Sequence, residues 1–167
     1  QPRLVSDPNR NQTEVAFDTL GMVVGTAIMG KATETFGDVL DASFQSDLDQ
    51  AELDAFMAKP REASNNPDES VATQIVHDLL GKATTRIVYE LDRFSRIGEP
   101  PFVATIARET HLSELHQDQK SKLQISFSYS DGFGREIQKK IQAEPGPVVE
   151  GGSVVNPRWI GSGWTIF

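Results

Sequence analysis

Hydrophobic and polar residues alternate most clearly in two runs in the second half of the chain. From Leu123 to Ser128 every second residue is apolar, and from Glu136 to Ile141 the isoleucines are separated by polar residues. A two-residue period is typical of a half-buried strand. Between the runs stands the segment 129–135, whose Asp131-Gly132 pair is a strong hairpin signal because tight hairpin turns need positive φ. The pattern predicts a β-hairpin. Gly134 offers a second position for positive φ, so a longer or bulged loop is as well supported as a tight turn.

Residues 1–30 predict a β-meander of three strands. Arg3 to Val5 is short, and a turn joins it to a strand over 13–17, where apolar and polar residues alternate. Met22 to Met29 is apolar at nearly every position, which predicts a strand that is buried on both faces. A buried helix is the alternative, but the glycines and β-branched residues in and around this run count against it.

Residues 46–81 predict a helical insert, after a loop from Lys31 to Phe44. Asp49 and Glu52 have capping-box spacing, and Pro60 should end this first helix. A second helix should begin at Ser70 and end at Gly81. The apolar faces predicted for the two helices are Leu53, Phe56 and Met57 in the first, and Val71, Ile75, Val76 and Leu79 in the second.

Residues 83–167 return to the pattern of β-hairpins. Thr85, Ile87, Tyr89 and Leu91 alternate with Arg86, Val88 and Glu90, and a turn at 97–101 precedes a strand from Phe102 to Thr110. The segments 111–121 and 144–157 are predicted as connections, and Trp159 to Phe167 as the last strand. The expected fold class is α+β, mainly β: an antiparallel sheet of hairpins with a two-helix insertion.

A weak internal repeat accompanies these strands. Three places combine an aromatic residue, an acidic residue, a turn and a new strand: Phe17-Asp18 with Gly21, Tyr89-Glu90 with Arg93, and Tyr129-Ser130-Asp131 with Gly134-Arg135. Hairpins added side by side form a long sheet that no single unit would stabilise alone. The residues alone do not distinguish a true repeat from a chance similarity.

Composition narrows the classes of partner. The 167 residues suffice for one domain, and no run approaches the ~20 apolar residues that a membrane helix needs. A net charge of −8 argues against nucleic acid or an anionic membrane surface as the main partner. Cysteine is absent from the sequence, which excludes disulfides and thiolate metal sites. The chain starts at Gln1 and ends in an apolar, strand-like run, so we expect a segment of a longer polypeptide.

One cluster resembles a metal site. Imidazole and carboxylate groups bind zinc, manganese or nickel, and the cluster consists of His111, His116, Glu109, Glu114 and Asp118. It lacks the HExxH pattern, so a polar connection between strands is the preferred interpretation and no metal ligand is assigned. His77, beside Asp78 on the second predicted helix, is interpreted as part of a solvated helix face and not as a catalytic base.

Aromatic residues near the end of the chain offer a second kind of site. Trp159, Trp164 and Phe167 could form a platform for a sugar ring, although core packing is the preferred interpretation because large aromatic side chains mostly supply burial. The glycine-rich stretches do not match a dinucleotide loop or a nucleophile elbow. A nucleophile, a base and an orienting group do not occur at recognisable spacing, so we predict no enzyme, no catalytic residue and no cofactor.

Six longer strings of residues carry a family resemblance: Asp18–Ala27, Leu80–Ile87, Ala107–His111, Tyr129–Lys140, Gln142–Pro147 and Arg158–Phe167. They resemble the B component of bacterial insecticidal toxin complexes of the TcdB/TcaC type. The similarity runs over nearly the whole chain and is weakest from Asp41 to Ser70. Proteins of this family carry SpvB-like and Rhs (YD-repeat) regions, and the weak repeat would correspond to degenerate YD units.

This resemblance implies a structural role in a secreted or extracellular virulence complex. In the family, the B component and the Rhs part of the C component form a hollow β-sheet shell that encapsulates a cytotoxic domain before delivery through the A component. The chain would be a non-enzymatic fragment of that shell. The implied partners are the remainder of the B component, the C component and the A component, with no nucleic acid and no membrane contact by this fragment. A carbohydrate-binding β module is the alternative function, followed by a metal-dependent enzyme.

Overall fold

The computed structural model describes residues 2–58, 71–117 and 119–163. Ten strands and three α-helices lie in these ranges, with a 3₁₀ turn at Leu112–Glu114. The strands are β1 (Leu4–Ser6), β2 (Asn11–Phe17), β3 (Val23–Lys31), β4 (Thr85–Glu90), β5 (Phe102–Arg108), β6 (Leu123–Ser130), β7 (Glu136–Ala143), β8 (Gly146–Pro147), β9 (Val154–Val155) and β10 (Arg158–Gly161). The helices are α1 (Gln50–Ala58), α2 (Val71–Leu80) and α3 (Arg93–Ile97).

Eight of these strands form one sheet in the order β1-β2-β3-β4-β5-β6-β7-β10, and β8 pairs with β9 separately. Pairing is antiparallel between β1 and β2, β2 and β3, β3 and β4, β6 and β7, and β7 and β10. Neighbours in the sheet are thus mostly neighbours in sequence, as in a row of hairpins. The predicted α+β, mainly β fold is confirmed. Within the described residues, no helix is both long and apolar enough to cross a membrane.

The chain divides into two compact units. The first unit consists of Gln1–Asp49, His77–Ile87 and Ile106–Gln124, and the second of Gln50–Val76, Val88–Thr105 and Ile125–Phe167. In the first unit the buried apolar residues are Val24, Ala27, Leu80, Ala83 and Ile106. Gly25 lies against the ring of Phe44, and a Cβ added there would stand 2.3 Å from the ring.

The core of the second unit is an aromatic cluster centred on Phe127 of β6. Its ring stacks on Phe56 of α1 at 5.7 Å between centroids and meets Phe102 of β5 edge-on at 5.4 Å. Tyr129 and Trp159 lie at 6.1 and 5.5 Å from the same ring. Such pairs add to the burial of apolar area, so this cluster fixes α1 against the strands of its unit. The predicted buried face of α1, Leu53, Phe56 and Met57, is confirmed.

Several local predictions need correction. The strand predicted over Met22–Met29 was expected to be buried on both faces, but Ile28 is 47% exposed. Successive side chains of a strand point to opposite faces, so Ile28 lies on the face opposite to the buried Gly25 and Ala27. The loop predicted at 144–157 contains the short β8–β9 pair. A short helix, α3, precedes the predicted turn at 97–101, and Gly98 ends it in the left-handed conformation.

Other predictions fall partly outside the described residues. The strand predicted from Trp159 to Phe167 is present as Arg158–Gly161, and residues 164–167 lie outside the described part. Pro60 and Ser70, the predicted stop of the first helix and cap of the second, also lie outside it. Gly81 does close α2, since its N–H donates to the His77 carbonyl oxygen at 2.9 Å.

Candidate functional site

A buried carboxylate, Asp38, is the centre of a polar network in the first unit. The residue has no exposed surface. Its Oδ2 lies 2.6 Å from Thr84 Oγ1 and 2.6 Å from His111 Nδ1. Its Oδ1 accepts a hydrogen bond from the backbone N–H of Leu112 at 2.8 Å, and Arg108 Nε is 3.4 Å away. A buried charge is tolerable only when it is paired and hydrogen-bonded, and all of these groups supply that compensation.

The backbone around Asp38 places this carboxylate. Gly37 has φ +88°, and a Cβ there would lie 2.2 Å from the Ile28 carbonyl oxygen, so the close approach needs glycine. The N–H of Asp38 donates to that carbonyl oxygen at 2.8 Å. The N–H of Gly37 donates to Ser113 Oγ at 2.8 Å. The segment before α1 is therefore fastened both to β3 and to the turn after β5.

The hydrogen bonds of the Asp38 network link several segments of the first unit. Thr84 Oγ1 donates to Asp38 and accepts from the backbone N–H of Ile28 at 2.8 Å. Arg108 donates to the carbonyl oxygens of Ala83 at 2.6 Å and Gly81 at 2.7 Å, and burial lowers the pKa of its guanidinium, with Asp38 opposing that shift. The arrangement joins β3, the start of β4, the end of β5 and the turn that follows.

A second network lies in the second unit and is centred on Glu90, the last residue of β4. Its side chain is fully buried. Arg93 Nη1 donates to Oε2 at 2.7 Å, while Arg96 Nη2 and Gln50 Nε2 donate to Oε1, the latter at 3.4 Å. Arg96 also reaches Asp54 Oδ1 at 3.0 Å. The network thereby connects α1, β4 and α3.

Both arginines of this second network stay charged. Burial lowers the pKa of Arg93, but hydrogen bonds and charge from Glu99 and Glu90 outweigh burial and raise it. The hydrogen bond to Glu90 is the main reason that the pKa of Arg96 is raised. Charge-assisted bonds of this kind are shorter and stronger than neutral ones. Glu90 is consequently held from two sides by permanent cations.

Sequence reasoning missed both networks. The alternation on β4 has its buried side at Arg86, Val88 and Glu90, so that two charged residues point inward. Arg86 is 1% exposed; its guanidinium stacks on Phe44 at 4.6 Å and donates to the Gln45 carbonyl oxygen. Glu90 and Arg93 are three residues apart, but the helical spacing rule does not apply to them, because Glu90 ends β4 and Arg93 begins α3. The sequence also carries no signal that Asp38 and His111 would pair, because they are 73 residues apart.

The structure does not group the residues that resembled a metal site in the sequence. His111 pairs with Asp38, Glu109 accepts from Gln124 Nε2 at 3.2 Å, and His116 is exposed, with its N–H directed to Gln119 Oε1 at 3.4 Å. Asp118 lies outside the described residues. Across 2–58, 71–117 and 119–163, no three His, Asp or Glu side chains are grouped to hold a metal ion.

The other candidate residues have structural surroundings. Trp159 is half-buried and meets Phe127 edge-on, while Trp164 and Phe167 lie outside the described residues. His77 on α2 was expected to lie on a solvated helix face, but it is half-buried. Burial lowers its pKa, assisted by the charges of Lys120 and Arg108.

Three hairpin turns share one hydrogen-bonding pattern, and each begins with an aspartate. They are Asp7–Asn11, Asp18–Met22 and Asp131–Arg135. In each, the carbonyl oxygen of the first residue accepts from the fourth N–H, the fourth residue has φ between 69° and 81°, and the aspartate Oδ1 accepts from the fifth N–H at 2.7–3.0 Å. A hairpin loop that ends in a left-handed residue has these features.

These turns revise the proposed repeat. Two of its three copies, at Asp18 and Asp131, have the same turn. A turn was also predicted from the sequence at Asp7, but not that it would share this hydrogen-bonding pattern, and no aromatic residue precedes it. The prediction of a third copy at Tyr89-Glu90 is wrong. Glu90 is buried and forms ion pairs, and the chain continues into α3 instead of a hairpin turn. The shared signal is an aspartate followed three residues later by a residue that adopts positive φ.

Comparison with known proteins adds a structural neighbour. No family model matches the chain, and no curated protein matches it. Among solved structures, the chain is similar to a chain in the crystal structure of TcdB2-TccC3, with a TM-score of 0.60 and 20% sequence identity. The similarity covers 99% of this chain and 7% of that chain. At this identity the likeness shows a common fold.

Proposed function

We propose that this chain is a non-enzymatic wall segment of a toxin-complex B component, in a β-sheet shell that encloses a cytotoxic domain for delivery. The observation that carries the proposal is the likeness to the TcdB2-TccC3 structure across 99% of the chain. The family resemblance of the long strings Asp18–Ala27 and Tyr129–Lys140 supports it independently. The partners would be the rest of the B component, the C component and the A component, in a secreted complex.

The polar networks fit this role. Asp38 and Glu90 each bind several backbone or side-chain groups from different segments, and Thr84 uses its hydroxyl both as donor and as acceptor within the network. Groups so engaged hold a sheet and its covering segments in one arrangement. A wall acts through continuous backbone pairing and needs no reactive side chain.

The test is a segment exchange. This chain would replace the matching stretch of the TcdB2-TccC3 chain, and the chimera would be examined by electron microscopy and by proteolysis of the enclosed domain. We expect a closed shell in which that domain is protected as in the parent. A chimera carrying Phe127→Asp, which disrupts the aromatic cluster, serves as the matched control and should leave the domain open to protease. A chimera that folds but leaves the shell open would refute the proposal.

A further inference from the structure

The Asp131-Gly132 pair places a carboxyl group next to an unhindered backbone nitrogen. When the nitrogen of the following residue attacks Cγ of an aspartate, a five-membered ring forms. Glycine offers least resistance because it has no Cβ, and the space around Gly132 is open, since a Cβ added there would meet nothing within 4 Å. The hairpin turn predicted from the sequence is therefore also a candidate for covalent rearrangement.

The reaction needs no partner except water. The Gly132 nitrogen forms a bond to Cγ of Asp131 and loses its proton, while one carboxyl oxygen leaves as water, giving a succinimide. Water then adds to either carbonyl carbon of the ring and opens it, to aspartate or to isoaspartate. The net change is an isomerisation, in which the backbone runs through Cγ and gains one CH₂. The leaving oxygen must carry a proton, so the carboxyl group reacts in its neutral form.

Arg135 holds this carboxyl group in its charged form and in one position. Its Nε and Nη2 donate to Asp131 Oδ2 at 2.7 and 2.6 Å. Oδ1 accepts from the backbone N–H groups of Phe133 at 2.8 Å and Arg135 at 3.0 Å. Partial desolvation raises the pKa of Asp131, but the N–H and guanidinium of Arg135 and the N–H of Phe133 outweigh it and lower the pKa.

The two other aspartate turns provide a comparison within the chain. Asp7 is followed by Pro8, whose nitrogen has no hydrogen to lose, and Asp18 by Thr19, whose branched Cβ crowds its nitrogen. Their fifth residues are Asn11 and Met22, neither of them a cation. Among the three turns, arginine stands at the fifth position only where glycine follows the aspartate.

We propose that Asp131-Gly132 is a latent isoaspartate site and that Arg135 is the residue that keeps it unreacted. Conversion would lengthen the turn by one backbone atom. The bonds from Asp131 N–H to the Arg135 carbonyl oxygen and from Gly134 N–H to the Asp131 carbonyl oxygen could then no longer close together. The pairing of Ser130 with Glu136, next to the turn, would be the first part of the β6–β7 hairpin to be lost.

The experiment ages the whole chain at neutral pH and 37 °C and counts isoaspartate by enzymatic methylation, with peptide mapping to locate it. Arg135→Gln removes the guanidinium that binds Asp131. Lys139→Gln is the control, because it removes one positive charge from an exposed residue of β7, the strand that follows Arg135. We expect isoaspartate at residue 131 to form severalfold faster in R135Q than in the wild-type chain, because the guanidinium no longer stabilises the charged carboxylate against the neutral form that reacts. K139Q should match the wild type.

The wild-type chain unfolded in urea gives the rate without any of the hydrogen bonds to Asp131. It should react at least as fast as folded R135Q, which keeps the backbone N–H bonds of Phe133 and residue 135. The proposal is overturned if folded wild type and R135Q react at equal rates, or if K139Q accelerates the reaction as much as R135Q does. It is also overturned if the folded wild-type chain already reacts as fast as the unfolded one.

Discussion

Gly25 leaves room for an aromatic ring that a larger residue would displace. The ring of Phe44 occupies the place where a Cβ would stand, 2.3 Å away, and the Arg86 guanidinium stacks on that same ring. One missing methyl group thus allows three residues of the first unit to pack together. At the residue scale, the packing of Phe44 and Arg86 therefore depends on the absence of a Cβ at position 25.

We expect Gly25→Ala to lower the free energy of unfolding by about 1–3 kcal/mol, the usual cost of overpacking a close-packed site. Urea denaturation followed by circular dichroism measures it. Gly132→Ala is the matched control: this glycine has open space around it, so the change should stay within about 0.5 kcal/mol. Equal effects at both positions would contradict the packing argument.

Asp38 should be the costliest aspartate to neutralise. Asp38→Asn replaces an acceptor that binds Thr84, His111 and Leu112 by an amide that cannot satisfy all three, and it leaves Arg108 without its carboxylate. Breaking a buried charged network by one partner costs about 3–5 kcal/mol. Denaturant titration of this variant should show that loss.

The exposed Asp92 provides the control for Asp38, because its side chain makes no capping hydrogen bond. Asp92→Asn should leave the unfolding midpoint within experimental error. If the two asparagine variants were equally stable, the Asp38 network would have no net stabilising role.

At the scale of elements, helices α1 and α3 are linked to β4 through one glutamate. Glu90→Gln keeps the shape of the side chain but leaves Arg93 and Arg96 without their shared buried anion. We expect a loss of about 3–5 kcal/mol in unfolding free energy. Amide hydrogen exchange over Arg93–Ile97 should accelerate more than exchange elsewhere in the second unit.

Glu99 is the exposed ion-pair partner of Arg93, and its substitution is the comparison for Glu90→Gln. It pairs with Arg93 but is 49% exposed, so Glu99→Gln should cost less than about 1 kcal/mol, as for surface ion pairs. A Glu99 variant as unstable as the Glu90 variant would show that burial of Glu90 is not what matters.

Acid should weaken the attachment of the segment before α1 to the end of α2. Hydrogen bonds from Lys82, and then from Ser43, lower the pKa of Asp41 from 3.8 to about 2. A carboxyl group whose pKa is depressed on folding stabilises the fold above its unfolded pKa, and that stabilisation disappears as the pH falls through its folded pKa. The contribution of Asp41 should therefore be complete above pH 3.8 and absent below about pH 2.

Lys82→Met removes the principal cause of this shift. The difference in unfolding free energy between wild type and K82M should be constant from pH 7 to 5 and shrink as the pH falls from about 4 to 2. Denaturant titrations at a series of pH values measure it. A difference that stays constant down to pH 2 would contradict the assigned cause.

At the scale of the whole molecule, the sheet ends in two strands, β1 and β10, that each pair on one side in the described strand order. Ile160 of β10 and its partner Ile141 on β7 are 55% and 46% exposed. Strand edges with apolar side chains seek further pairing. The isolated chain should therefore self-associate with rising concentration.

Sedimentation velocity at several concentrations measures this association. Ile160→Lys places a charge on the edge and should shift the chain toward monomer, while Lys139→Gln on β7, which leaves the edge strand unchanged, should not. A wild-type chain that stays monomeric at high concentration would show that the edges are closed by other means.

The sequence predicted what local chemistry determines. The hairpin of β6 and β7 follows from its alternation and from Asp131, and the apolar face of α1 follows from helical spacing. The sequence did not predict which face of β4 is buried, because Arg86 and Glu90 become buried only when α1, α3 and Phe44 supply their partners. The sequence marked His111 only as a candidate metal ligand. Its pairing with Asp38 could not be predicted, because the two residues are 73 positions apart and spacing rules reach only a few residues.

The Asp38 network also bears on the order in which the chain folds. The aspartate turns close loops of five residues, whereas Asp38 meets Thr84 and His111 across 46 and 73 positions. Closing a long loop costs more entropy than closing a short one, so contacts of this span form late. Interactions that are absent from the transition state act on the rate of unfolding and hardly on the rate of folding. We therefore expect the Asp38 network to slow the unfolding of the first unit and to leave its folding rate almost unchanged.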